Sequence, residues 1–206
     1  MNKQNILAFS VMGALLAGCA MTDDAEQTRI KAVAMMKSSF TDRGQAKLDR
    51  FDQDALQRAC SLKSGQQLDK AVAARLEKEQ QALVKYPADG NYLGDWKAGE
   101  KIAQSGRGGQ YNDNPKNPAG GNCYACHQLT KAEVSYGTIG PTLYNFGKLR
   151  GFTPAVQKYA FGKVYNSQAF SACSSMPRFG HNQVLTEAQI KDVVALLMDP
   201  ESPVNK

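Results

Sequence analysis

Five consecutive residues, Cys123-Tyr124-Ala125-Cys126-His127, carry the densest chemistry in the chain. Two thiols three residues apart reach the two vinyl groups on one porphyrin edge and become thioethers. The imidazole that follows then points at the iron. The pattern specifies covalent attachment of one haem of the c type, with Cys123 and Cys126 as anchors and His127 as an axial ligand. With five Cys and two His in the chain, chance occurrence is on the order of one in a thousand. The competing readings are a redox dithiol and half of a zinc site. A zinc site needs further ligands, and only Cys19, Cys60, Cys173 and His181 remain to supply them.

A low-spin haem that moves electrons needs a second axial ligand, and Met opposite His raises the potential. Beyond the leader the Met residues are Met21, Met35, Met36, Met176 and Met198. Met176 stands in Ser175-Met176-Pro177-Arg178-Phe179-Gly180, a loop just before the terminal helix, where a Met can reach over the haem. His181 is the runner-up and Cys173 a further candidate, and the bland reading of any Met is core packing. Gly140-Pro141-Thr142-Leu143 follows the Cys-x-x-Cys-His segment after a loop. Pro141 is expected beside His127, with a nearby carbonyl accepting the ring N–H and fixing its tautomer; a plain turn is the alternative. Arg150 suits a haem propionate through its guanidinium fork, or is a solvated surface Arg.

The N-terminus sets the compartment. Lys3 precedes an apolar run from Ile6 to Gly18, of the length of a secretory leader and too short to span a bilayer as a retained helix. The run ends Leu15-Leu16-Ala17-Gly18-Cys19, which resembles the bacterial lipobox and implies lipidation of Cys19. Ordinary cleavage after Ala20 is the alternative. Either way the chain is expected outside the cytoplasm, in the periplasm, with a lipid on Cys19 tethering it to the outer membrane. In that oxidising setting Cys60 and Cys173 are expected to pair, stapling the N-terminal region to the Met176 loop. The alternatives are a buried inert thiol and pairing with a partner chain. The formal charge is +6, and removing Lys3 with the leader leaves +5. That is too weak, and too free of basic–aromatic runs, for nucleic acid.

The elements that position these residues read as helical. Between residues 25 and 86, Ile30, Val33, Met36 and Phe40 form one stripe. Leu48, Phe51, Ala55 and Leu56 form a second, and Leu68, Val72, Leu76 and Leu83 a third, with breaks at Gly44 and Ser64-Gly65. These are packing faces of an extension that lies against something else. Asp95 N-caps a helix through about Ser105, and residues 106 to 122 are loop. Thr153-Pro154 starts a helix over Ala155 to Tyr165. Thr186-Glu187-Ala188-Gln189 is a capping box for a last helix with Ile190, Val193, Val194 and Leu197 inward, ending at Pro200. No alternating strand appears. The expectation is an all-α chain in three parts: an export signal over 1–19, a helical extension over 20–88, and the haem domain over 89–206.

Residues 94 to 198 resemble class I cytochrome c domains in order: a small-residue helix, Cys-x-x-Cys-His, Gly-Pro-x-Leu, Met-Pro-x-Phe-Gly, a terminal helix. Three longer strings are similar to the monohaem sulfur-oxidation cytochromes of the SoxX family. They are Gly120 through Leu129, Gly137 through Gly151, and Ala172 through His181. The resemblance implies a class I cytochrome c fold with an N-terminal helical extension. It also implies a partner, a SoxA-type cytochrome, with which the pair conjugates thiosulfate to a cysteine of the SoxYZ carrier protein. Activity of the L-cysteine S-thiosulfotransferase kind then belongs to the complex. This chain relays electrons from the SoxA haem to a soluble cytochrome c. The lipobox departs from the usual soluble member. The alternative is a free-standing electron carrier to an oxidase or another dehydrogenase.

Overall fold

The computed structural model describes residues 20–62 and 67–206. The export signal with Cys19, and the expected break at Ser64-Gly65, lie outside the described residues. Among those described there are seven α-helices and no strand, as the all-α reading expects. The chain divides into two compact units, Met1–Asp52 and Gln53–Lys206.

In the first unit α1 runs Ala20–Ser39, and Gly44, at φ +52°, allows a tight turn closed by paired backbone bonds between Arg43 and Ala46. A 3-10 turn follows at Leu48–Phe51. Phe40 meets Phe51 with ring centroids 5.3 Å apart, and Lys37 pairs with Asp52. Ile30, Met36 and Phe40, expected to face inward, are exposed.

The second unit holds α2 (Ala55–Leu62), α3 (Lys70–Ala82), α4 (Trp96–Gln104), α5 (Phe146–Arg150), α6 (Pro154–Tyr165) and α7 (Glu187–Met198). Its centre is the crossing of α4 and α7. Gly99 lies so close to α7 that a Cβ there would stand 2.1 Å from the Asp192 carbonyl oxygen. Gly94 N–H donates to the Lys191 carbonyl, and Asp95 N–H to the Asp192 carboxylate. The caps form where the sequence places them. Asp95 accepts from Lys97 N–H, Thr153 from Val156 N–H, and Thr186 and Gln189 close a reciprocal capping box. Each side-chain cap is worth about 1 kcal/mol. Ile190, Val193, Val194 and Leu197 are buried with Phe161 and Leu129 in one core.

One helix has no counterpart in the sequence reading. Helix α5 starts at Asn145, in the left-handed region at φ +59°. Its first amides are capped from the far C-terminus, because the Asn205 side-chain carbonyl accepts from Gly147 N–H at 3.0 Å. The Asn205 amide donates back to the Leu197 and Asp199 carbonyls.

The division between the two units falls at Asp52. Helices α2 and α3 belong with the haem-motif unit. Leu56, 1% exposed, packs with Leu76 and Ala172, and Cys60 is bonded to Cys173 across 113 residues. The inward face of α3 is also rotated from the apolar stripe. Leu76 and Gln80 are buried, while Val72 and Leu83 are exposed. Gln80 tolerates burial because its side chain has polar partners across the interface.

Candidate functional site

The Cys-x-x-Cys-His segment is fixed to the end of α4. Gly121 N–H donates to the Ile102 carbonyl and Asn122 N–H to that of Ser105. Gly120 must be glycine, since a Cβ there would sit 2.0 Å from the Ser105 oxygen. Asn122, left-handed at φ +45°, turns the chain into a 3-10 turn over Cys123–Ala125. The His127 amide donates to the Cys123 carbonyl at 2.9 Å, closing one turn that carries all three reactive side chains. Tyr124, between them, is buried and donates to Glu100 on α4 at 3.0 Å. Burial, with the Glu100 charge beside it, pushes its hydroxyl up to about 12.

Cys123 and Cys126 are not disulfide-bonded. Burial pushes the Cys123 thiol up to about 12. Nor do the three side chains form a zinc cage: among the described residues no three His, Cys, Asp or Glu converge to hold a metal ion.

His127 is held against the loop that follows. Its Nδ1 donates to the Pro141 carbonyl at 2.7 Å, which leaves Nε2 as the free lone pair for a metal. The ring lies flush on Gly140: a Cβ at that position would stand 2.2–2.7 Å from three ring atoms. Gly137 N–H donates to the Tyr124 carbonyl, Gly140 N–H to Cys126, and Leu143 N–H to Gln128, lacing the loop to the cysteine turn. Pro141 therefore acts through its carbonyl. The need for glycine at 140 escaped the sequence reading, although its place directly before Pro141 was the available signal.

Met176 lies half-buried against the core. Its carbonyl accepts from Ser167 Oγ at 2.5 Å, and its amide donates to Ser174 Oγ. Of the competing axial ligands, Cys173 is consumed by its bond to Cys60. His181 is half-buried, and burial together with the Arg178 charge holds its imidazole below the usual range, against the pull of Asp54. Met198 is sealed in the core, and Met35 and Met36 are exposed on α1. The Arg150 guanidinium stacks 5.0 Å over Phe146 and 5.8 Å over Tyr159, a cation–π arrangement.

The donor set fits a c-type haem. Two unpaired thiols share one turn with an imidazole whose outward nitrogen is free. Ile139, beside the glycine on which the His127 ring lies, is 79% exposed.

Residues 114–199 match the family model described as Cytochrome c. The chain is also 34% identical over 212 residues to an uncharacterized lipoprotein of Aquifex aeolicus (strain VF5), covering 99% of this chain and 100% of the relative.

Proposed function

We propose, from the premise that this chain belongs to the cytochrome c family and carries one covalently bound haem c, that it is the electron-relay subunit of a thiosulfate-oxidising complex of the SoxAX kind. Its all-α fold is that of a class I cytochrome c, and haem electron transfer follows from that domain. When bound, the haem supplies a one-electron couple tuned by its axial ligands and surroundings. Cys123 and Cys126 would hold it through thioethers, and His127 and Met176 would ligate the iron. The observation that carries the relay reading is the 2.7 Å bond from His127 Nδ1 to the Pro141 carbonyl. That bond fixes the tautomer and would leave Nε2 to ligate the iron.

With His127 and Met176 both serving as ligands, the iron would offer no coordination position to substrate. His127 does not stand free as a base beside a nucleophile, because its Nδ1 is tied to the Pro141 carbonyl. The chemistry then belongs to a partner. A SoxA-type cytochrome joins thiosulfate to the cysteine thiol of a SoxYZ-type carrier, forming a sulfur–sulfur bond with loss of a proton and two electrons. This chain passes those electrons singly to a soluble cytochrome c. Support for the pathway comes from the three SoxX-like strings, which coincide with the cysteine turn, the Gly140–Pro141 loop and the Met176 loop. Helices α2 and α3, tied to the Met176 loop through Cys60, Glu77 and Gln80, add to it, since a simple diffusing carrier has no need of them.

The relative's designation as a lipoprotein, with the Leu15-to-Cys19 segment, supports a lipid anchor at Cys19 and a periplasmic site tethered to the outer membrane. No described helix is long and apolar enough to cross a membrane.

The test is co-purification of the full chain from membranes with a SoxA-type cytochrome, followed by thiosulfate-dependent haem reduction when the carrier protein is added. Association with reduction is expected. Haem that stays oxidised, with no associated cytochrome, overturns the pathway and leaves a free-standing carrier. Recovery of Cys19→Ala in the membrane fraction overturns the anchor alone.

A further inference from the structure

The loop from Asn166 to His181 leaves α6, carries Met176, and returns toward α7. Loops of this length are ordinarily the mobile part of a domain. This one is held at points on both sides of Met176 by Asp54, Cys60, Glu77 and Gln80, which the cytochrome family model does not cover. Before Met176, Cys173 is bonded to Cys60, and Ala172 N–H donates to Glu77 at 2.9 Å. After it, the Arg178 guanidinium, 5% exposed, donates to Asp54 at 2.5 Å and to Gln80 Oε1 at 3.3 Å. Gln80 also accepts from Asn166 at 2.9 Å, where the loop begins.

A buried guanidinium is costly without a counter-charge, so Arg178 is bound to this place by Asp54. Arg178 is two residues from Met176, and the disulfide three. A thioether held between two such fixed points has little freedom to swing away.

We infer that Asp54, Gln80 and Arg178, with the Cys60–Cys173 disulfide, are positioning residues that keep the Met176 loop closed over the haem iron. They set how often the sulfur ligand leaves and thereby the potential of the relay. The inference rests on Met176 being the axial ligand. It assigns to α2 and α3 a function at the iron rather than general stability.

The experiment uses the full-length holoprotein in four forms: unaltered, Asp54→Asn, Cys60→Ala with Cys173→Ala, and Met176→Ala. Three quantities are read: the ferric charge-transfer band of sulfur–iron ligation, the rate at which added imidazole displaces the sulfur ligand, and the reduction potential. Circular dichroism checks that the helices persist. Asp54→Asn leaves the disulfide in place and carries the test alone if the cysteine pair fails to fold. Asp54→Glu is the conservative rescue. Because displacement must pass through local opening of the loop, Asp54→Asn and the double cysteine variant are expected to speed it by about tenfold or more. They should also weaken the band and lower the potential, with Asp54→Glu recovering most of the loss. Imidazole exchange and potential unchanged in both variants, with the band abolished by Met176→Ala, overturn the positioning role and leave the ligand assignment standing. A band that survives Met176→Ala overturns both.

Discussion

At the scale of single residues, the site depends on close approaches that only particular side chains permit. His127 needs a flat surface behind its ring and an acceptor at Nδ1, and Gly140-Pro141 supplies both. Gly140 shows no positive φ, so the demand for glycine there is spatial. Gly140→Ala would place a methyl carbon within 2.2–2.7 Å of the imidazole. The ring cannot yield without giving up its 2.7 Å bond to Pro141, so Nε2 loses its aim. The expected outcome is a holoprotein whose haem remains covalently attached, since Cys123 and Cys126 are untouched, but whose ferric spectrum shows disturbed axial ligation. Denaturing electrophoresis with haem staining reads the first, and absorption spectroscopy the second. An unaltered spectrum removes Gly140 from the site. The cysteine turn and the Met loop are legible in the sequence because their chemistry is local: thiols, imidazole and thioether in short strings. Gly140 is less so, because a glycine announces neither which side chain leans on it nor why.

At the scale of elements, the helices with strong local signals form at their expected places: Asp95, Thr153 and Thr186 each cap the helix they precede. Helix α5 leaves no such signal, since its cap is Asn205, 58 residues beyond Gly147. The face of α3 is misleading for the related reason that its buried contact is polar. Gln80, Glu77 and Gln81 reach the Met176 loop, and hydrophobic periodicity does not register them. The α4–α7 crossing is the element contact on which the cysteine turn hangs, and it can be tested at Gly99. Helix propensity alone favours Ala over Gly by about 1 kcal/mol. Against this, a Cβ 2.1 Å from the Asp192 carbonyl oxygen and 2.7 Å from its carbon meets backbone that cannot rotate away. Forcing two packed helices apart costs roughly 1–3 kcal/mol beyond what repacking recovers. Gly99→Ala is therefore expected to lower stability by about 1–2 kcal/mol net in chemical denaturation. A variant as stable as the unaltered chain shows that the backbones are not in contact there.

At the scale of the whole molecule, the second unit is closed by partners far apart in sequence. Asp54 and Arg178 are separated by 124 residues, and Cys60 and Cys173 by 113. Ion pairs such as Arg75–Glu79, with both side chains half-exposed, contribute a few tenths of a kcal/mol. The Asp54–Arg178 pair differs because the Arg178 side chain is 6% exposed. Losing the carboxylate strands a buried charge, at a cost of roughly 3 kcal/mol. Burial, the largest influence on Asp54, raises its pKa. The Gln57 amide, the Arg178 hydrogen bond and charge, and the His181 charge together outweigh it, and the carboxyl lies below its ordinary 3.8. A carboxyl whose pKa is depressed on folding binds fewer protons in the folded chain than in the unfolded one. Its stabilisation is therefore complete above the unfolded value and disappears as pH falls through the folded one. From about pH 5 downward, the unaltered holoprotein should lose stability more steeply than Asp54→Asn, while remaining the more stable of the two at neutral pH. Denaturant midpoints collected from pH 7 to about pH 3 span this window. Parallel curves for the two proteins across it show that the Asp54 carboxylate contributes nothing to closing the unit.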